Sequence, residues 1–369
     1  MRVRLGDVCD RGTSNLKQSD ITDTSGEYPV YGASGLIGTV SFYHQKLPYV
    51  AVVKDGAGIG RTTLHPAESS VIGTMQYLLP KANILPEYLY YVVKHMHLEK
   101  YYTGATIPHI YFKDYKSEEF NLEPLEKQHI IVDILEKIES VIEARQKELK
   151  RLDDLIKSRF VEMFGNPDIN EKKWNVYKME QLCEVGSSKR IYQNDQSLTG
   201  IPFLRISDLV NRMDTGSKDC DLFIPEELFE KLKKQGLVPE RGDILLTARG
   251  TLGRCYIIQD DDEFYFQDGM ITWLSKYDEK ITPLYISYLF EMPGFRKQID
   301  SLQAGSTVAY LSISMTKKLN VMAPPFELQN QFADFVNQIN KSKLLEWINF
   351  AEKHFKLLQA RICDGRQFI

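Results

Sequence analysis

The chain has 369 residues, 43% of them hydrophobic and 11% aromatic, which suffices for two globular units plus connecting structure at roughly 150 residues per domain. Forty-six basic residues against 50 acidic ones give a net charge of −4. That balance excludes a histone-like protein held to DNA by bulk positive charge, and equally a polybasic membrane-surface protein.

The opening Met1-Arg2-Val3-Arg4-Leu5-Gly6-Asp7 has no apolar run of the signal-peptide kind, and no stretch of about 18 apolar residues is present to span a membrane. The five cysteines are scattered and form no Cys-x-x-Cys pair, which fits free thiols in a reducing cytoplasm. Cys9 and Cys183 are expected to pack as small hydrophobes.

In chain order, residues 1–125 read as a first α+β domain, with the strand-like run Tyr49-Val50-Ala51-Val52-Val53, Gly-rich turns and a helix after Pro86. Residues 126–165 read as one long helix. Its apolar positions Ile131, Leu135, Ile138, Ile142, Leu149, Leu152, Ile156 and Met163 recur at spacings of three and four, with a charged slot at Arg145, as in a coiled-coil seam. Phe164-Gly165-Asn166-Pro167 stops it, because Gly permits a left-handed cap and Pro forbids continuation. Helical from Glu126 to Phe164, it would be roughly 58 Å long at about 1.5 Å per residue.

Residues 166–325 read as a second α+β domain, with the run Asp243-Ile244-Leu245-Leu246-Thr247 and a helix after Pro283. Residues 326–369 read as a second helix carrying Phe332, Val336, Ile339, Leu345, Ile348, Phe355 and Ile362, its seam slipping near Ser342 as a stutter would. Neither seam can stay exposed, and each is the nearest partner for the other. An antiparallel coiled coil with an internal pseudo-twofold is therefore expected.

The chain also repeats itself. Gly104-Ala105-Thr106 and Gly305-Ser306-Thr307 open segments that align without a gap at an offset of 201, closing on Pro124-Leu125-Glu126-Lys127-Gln128 and Pro325-Phe326-Glu327-Leu328-Gln329. Upstream, Ile59-Gly60-Arg61 parallels Leu252-Gly253-Arg254, and Cys9-x-x-Gly12 parallels Cys183-x-x-Gly186. A period this long is a duplicated domain, not a solenoid of 20–50-residue repeats.

Catalytic signatures are missing. Gly56-Ala57-Gly58-Ile59-Gly60 is followed by the strand-like Arg61-Thr62-Thr63-Leu64, where a dinucleotide site needs a helix N-terminus. There is no phosphate-loop motif and no Gly-x-Ser-x-Gly elbow, and Ala323-Pro324-Pro325-Phe326 lacks the acidic or amide residue of an amino-methyltransferase. Asp168 and Glu171 read as surface charge in a linker, and His95 and His97 point to different helix faces with no third metal ligand. The expectation is a non-enzyme with no metal and no cofactor of its own.

What remains is recognition. Small, polar and basic residues gather where turns are expected: Lys54, Arg61, Thr106 and His109 in the first copy, and Arg205, Arg249, Thr251, Arg254 and Thr307 in the second. Arginine grips phosphate or reads guanine bidentately. Neither domain is basic overall, so DNA contacts would have to come from local clusters or be shared with partner subunits. The rival is a structural adaptor with two protein-binding domains on a coiled-coil spacer, which would favour exposed aromatic and aliphatic anchors over matched polar loops.

One stretch sharpens the choice: Glu162-Met163-Phe164-Gly165-Asn166-Pro167, then Trp174 and Leu182-Cys183-Glu184-Val185-Gly186. With Ile201-Pro202-Phe203-Leu204-Arg205-Ile206, Gly242-Asp243-Ile244-Leu245-Leu246 and the Pro-x-Glu-x-Gln entry to each helix, it resembles the specificity subunit of type I restriction-modification systems over essentially the full length. The resemblance implies two target-recognition domains, each reading one half of a split double-stranded DNA sequence, and two long helices that set the gap. It also implies two modification subunits that bring S-adenosylmethionine and methylate a flipped adenine, and motor-nuclease restriction subunits that cut unmodified DNA. The first copy departs by starting almost at once, at Leu5, without the tryptophan that precedes the second copy's equivalent segment. Two copies so diverged point to an asymmetric bipartite target.

Overall fold

A computed structural model describes residues 1–21, 26–103, 108–303 and 309–343. Thr106, Thr307, Leu345, Ile348 and Phe355 lie outside the described residues. The chain forms two compact units whose boundary falls between Gln146 and Lys147, inside one long helix.

The first unit runs β1 (Arg2–Arg4), α1 (Leu5–Val8), β2 (Cys9–Thr13), β3 (Tyr28–Gly32), β4 (Gly35–Val40), β5 (Tyr49–Val53), β6 (Thr62–His65), β7 (Ser70–Val71), β8 (Met75–Pro80), α2 (Pro86–His95), α3 (Phe112–Tyr115) and β9 (Glu119–Asn121). Its main sheet is ordered β2-β8-β5-β6, its second β4-β3-β7, and β1 pairs with β9. The β5 run Tyr49-Val50-Ala51-Val52-Val53 lacks alternation because both of its faces are covered. Val50 and Val52 face a core with Leu89 and Val93 of α2, while Tyr49, Ala51 and Val53 face Val71, Met75 and Tyr77. Pro86 starts α2, where its missing N–H costs nothing.

The second unit repeats the plan: β10 (Asn175–Lys178), β11 (Glu184–Gly186), β12 (Ile201–Leu204), α5 (Ile206–Thr215), β13 (Phe223–Ile224), α6 (Glu226–Lys234), β14 (Ile244–Thr247), β15 (Cys255–Ile257), β16 (Tyr265–Phe266), β17 (Ile271–Ser275), α7 (Pro283–Glu291), α8 (Pro293–Leu302), α9 (Ile313–Lys317) and β18 (Asn320–Ala323). Its sheets are ordered β11-β17-β14-β15 and β13-β12-β16, with β10 paired to β18. The insertions are helices: α5 and α6 flank β13, and α8 follows α7.

The duplication extends to single hydrogen bonds. The Cys9 thiol donates to the Leu5 carbonyl and the Cys183 thiol to that of Met179. Both thiols are buried and pushed up to about 12 by that burial, so they are inert packing groups. The Tyr88 hydroxyl donates to Asn121 O, and that of Tyr285 to Met322 O, each at 3.0 Å. Buried Gln128 accepts from the Leu85 N–H and donates to the Asn83 and Glu123 carbonyls. Its counterpart Gln329 accepts from Thr282 and donates to Lys280 and Pro324. In each unit, one amide fastens the start of the long helix to the loop ahead of α2 or α7.

The long helix, α4 (Leu125–Phe164), is 40 residues, or about 60 Å. Gly165 closes it in the left-handed region, its N–H reaching the Val161 carbonyl while Trp174 Nε1 caps Phe164 O at 2.9 Å. A second helix occupies residues 326–343. Within the second unit, Phe332 packs against Phe160 and Phe164, Arg159 lies over the Phe335 ring, and Lys343 pairs with Asp153 at 2.5 Å. Partner numbers rise along one helix as they fall along the other, so the two run antiparallel here. Ile156, Phe332 and Val336 are buried in this junction, with Ile339 packed against it. The seam expected along α4 is uneven: Ile131 packs on the first unit's core beside buried Val132, and Leu135, Leu149 and Leu152 are half-buried. Ile138 and Ile142 are exposed, because no described element covers the middle of the helix.

Candidate nucleic-acid interface

Each unit presents a Gly-rich loop at the end of its central strand, built by the same main-chain bonds. After β5, the Val53 N–H bonds Arg61 O, the Gly60 N–H bonds Val53 O, the Lys54 N–H bonds Thr74 O, and the Ile110 N–H bonds Lys54 O. After β14, the counterparts are Thr247 to Arg254, Gly253 to Thr247, Ala248 to Met270 and Leu311 to Ala248, all at 2.8–3.0 Å. The bonds match Val53 with Thr247, Lys54 with Ala248, Asp55 with Arg249 and His109 with Tyr310. Gly60 and Gly253 both sit at positive φ, which lets the chain double back into the strand that follows.

On this common frame the side chains differ. In the first unit, His109 Nδ1 contacts the Asp55 carboxylate and its ring lies 4.0 Å from that of Tyr111. Burial and the nearby Lys54 charge hold the imidazole below its ordinary range. Lys54 is half-buried, 3.9 Å from Asp55, and its ammonium is depressed by burial and by the charge of Arg11. Arg61 donates to Ala33 O at 2.8 Å, its guanidinium lying against Gly58. In the second unit, exposed Arg249 lies 4.9 Å over the Tyr310 ring. Thr251 is exposed and its carbonyl accepts from the Thr247 hydroxyl. Arg254 leaves the loop to pair with Asp214 at 2.6 Å.

The expected contacts therefore divide. In the first unit Lys54 and His109 meet at Asp55 while Arg61 turns to Ala33, and in the second Arg249 and Thr251 stay exposed on the loop while Arg254 turns away to Asp214. Arg205 stands apart from the loop: it begins α5 and is held by Asp208 at 3.0 Å and by Asp221. Two carboxylates already neutralise it, so it is less available to a phosphate than its sequence context suggested. Sequence reasoning passed over Arg11, which lies within electrostatic reach of Lys54 and makes no ion pair among the described residues. Setting the copies side by side would have exposed it, because its counterpart at the Cys9/Cys183 offset is Val185.

No group of His, Cys, Asp and Glu side chains among the described residues could hold a metal ion, and no described helix is long and apolar enough to cross a membrane. His95 and His97 stand 6.1 Å apart, ring to ring, with His97 turned to Glu99. Asp168 pairs with Lys297, and Glu171 accepts from the Asn166 N–H, so both carboxylates serve the turn after α4.

One fold used twice, each copy offering a differently armed loop on an identical frame, defines a duplicated recognition protein. Residues 1–153 and again 171–349 match the family described as the type I restriction modification DNA specificity domain, and the chain belongs to that family. A protein of Haemophilus influenzae named as a type I restriction enzyme specificity subunit is 24% identical over 327 residues, covering 85% of this chain and 80% of its own. The type I restriction enzyme MjaVIII specificity subunit of Methanocaldococcus jannaschii is 24% identical over 331 residues, covering 82% of this chain and 76% of its own. The crystal structure of a type I restriction-modification S subunit from M. genitalium shares the fold at a TM-score of 0.55 and 15% identity, covering 98% of this chain and 94% of that one.

Proposed function

We propose that the chain reads an asymmetric bipartite sequence in double-stranded DNA, one recognition domain to each half-site, with residues 1–125 and 166–325 as the domains. The observation that carries this reading is the sign change on the matched loops. Asp55 in the first unit stands where Arg249 stands in the second, on backbone fixed by the same bonds. A guanidinium stacked on an aromatic ring suits guanine O6 and N7, whereas a carboxylate can only accept, as from cytosine N4. Two such heads cannot prefer the same half-site.

Residues 126–165 and 326–369 are the spacer that fixes the gap between half-sites; the antiparallel pairing at Phe332 and Asp153 supports this, and residues 344–369 lie outside the described residues. The chain is non-catalytic and holds no cofactor. It docks two modification subunits, which carry S-adenosylmethionine, and motor-nuclease restriction subunits, and it works in the cytoplasm. DNA phosphates shared with these partners account for domains that are not basic overall.

The test is methylation mapping of host DNA with and without this gene, followed by Arg249→Ala. That substitution is expected to relax one base-pair position in one half-site, by the roughly 1–3 kcal/mol of a bidentate contact, and to leave the other half intact. Equal loss of both halves would sink the two-head reading. An unchanged methylome on deletion of the gene would favour the adaptor instead.

A further inference from the structure

The face of the first unit's main sheet that carries Val50, Val52 and Leu78 ends in polar residues, not apolar ones. Strand pairing sets Arg11 opposite Leu78, and Gln76 opposite both Thr13 and Val52, on that same face. Lys54 leaves β5 on the same side, and α3 delivers Tyr115 against it. Two of these groups are buried without a partner among the described residues: the amide Nε2 of Gln76, whose residue is 3% exposed, and the hydroxyl of Tyr115, 0% exposed. A buried donor with no acceptor is a standing cost to the fold, which an acceptor arriving from outside relieves. Arg11 lies within electrostatic reach of both Lys54 and the Tyr115 hydroxyl.

The second unit supplies the control. The matched bonds and offsets pair Arg11 with Val185, Lys54 with Ala248, Gln76 with Thr272 and Tyr115 with Thr316. Val185 and Ala248 are buried and apolar, and Thr316 satisfies its hydroxyl on Ser312 O at 3.0 Å. Phe295 and Ile299 of the inserted α8 join the core there. The same place in the fold is apolar in one copy and in the other holds two cations, one on β2 and one at the end of β5, with two unused donors on the same face.

We propose that Arg11 and Lys54, with the Gln76 amide and the Tyr115 hydroxyl beneath them, form a phosphodiester-binding recess that exists in the first unit alone. The ligand is an oxyanion, because Arg11 makes no ion pair among the described residues, Lys54 is held only at 3.9 Å from Asp55, whose carboxylate is turned to His109, and both groups beneath can act as donors. A phosphate drawn between the two long, flexible cationic side chains gives the donors below the acceptor they lack. The proposal rests on the DNA-reading function and adds to it that the first domain holds the backbone where the second has no equivalent hold.

The experiment titrates the mapped duplex with the complex assembled on this chain, by fluorescence anisotropy, between about 50 and 200 mM salt. In the double variant Arg11→Gln/Lys54→Gln, binding is expected to weaken alike for every sequence and the slope of log affinity against log salt to flatten by about 0.9, one phosphate contact. Tyr115→Phe keeps the ring, removes only the unpaired hydroxyl, and is expected to weaken binding roughly tenfold while the free protein melts no lower. An unchanged slope and affinity in the double variant overturns the recess while leaving DNA reading in place. Relaxed specificity at one base pair with the slope unchanged makes it a base contact, and overturns the phosphodiester assignment. Inorganic phosphate at matched ionic strength is expected not to compete; competition that vanishes in the double variant makes this a free-phosphate site and likewise overturns it. If the native complex binds no duplex, the DNA reading itself fails, and the recess falls with it.

Discussion

In the first unit the loop after the central strand carries Asp55, gripped by His109, whereas the matched positions of the second hold Arg249 over Tyr310. The main-chain hydrogen bonds that fix the two loops are the same set, within 0.2 Å of one another in length. A frame set by the main chain therefore tolerates a full inversion of charge at its tip. The divergence continues beneath the loop, where Arg11, Lys54 and Tyr115 answer to Val185, Ala248 and Thr316. Duplication preserved what builds the head and released what the head says.

The sharpest break in that equivalence lies where the long helix meets each core. Phe332 sits among Phe160, Phe164 and Tyr288, while its counterpart Ile131 is only half-buried against the first unit's core. Phe332→Ala is expected to cost the second unit about 3–5 kcal/mol, and Ile131→Ala distinctly less in the first, as read by denaturant unfolding of each variant. Equal losses would mean that the two junctions are energetically alike.

Acid should separate the units next. Burial against Tyr31 and Tyr49 pushes His65 down from 6.5 to about 4, and the position matched to it in the second unit is buried Ile258. The unfolded chain takes up the proton that the folded first unit refuses, so the first unit loses stability as pH falls from about 6.5 toward 4, by roughly 3 kcal/mol. Asp243 in the second unit is shifted the other way, raised by burial, and gives no such loss over that range. Melting curves at stepped pH should show the first unit failing earlier, and His65→Ile should remove most of the difference, leaving the smaller part due to His109. A first unit as acid-stable as the second without that substitution would contradict this account.

The smallest effect should restore the likeness. Gln128→Leu and Gln329→Leu each strip the same buried amide from the same three main-chain groups, and each is expected to cost about 1–3 kcal/mol. Hydrogen exchange at Leu85 and Thr282 should accelerate to a similar degree. A clear inequality would mean that the two caps have drifted apart despite their geometry.

How much of this was legible in the residues depended on distance along the chain. The duplication, the stop at Gly165 and the helices after Pro86 and Pro283 rest on short-range signals, and each appears where those signals put it. The two-sided burial of β5 and β14 also follows from runs without alternation. The site was less open. Arg254 meets Asp214, 40 residues away, and Arg11 approaches Lys54 only because β2 and β5 both flank β8. The first depends on where α5 packs and the second on strand register, which runs buried on both faces do not disclose. Ile138 and Ile142 fit the heptad as well as Ile156 does, yet periodicity says which side of a helix is apolar and not where along it a partner lies.

The loop frame has one further consequence. The main-chain bonds shared by residues 54–60 and 248–253 use no side chain of Asp55, His109, Arg249 or Tyr310, and the side chains that add to them are Thr62 in the first loop and Thr247 and Arg296 in the second, so the tips can be rewritten without moving the frame. On the proposed reading, transplanting Asp55 and His109 into the places of Arg249 and Tyr310 would change a vocabulary of two words, and such cassettes would be the units in which a reader of this kind acquires a new text.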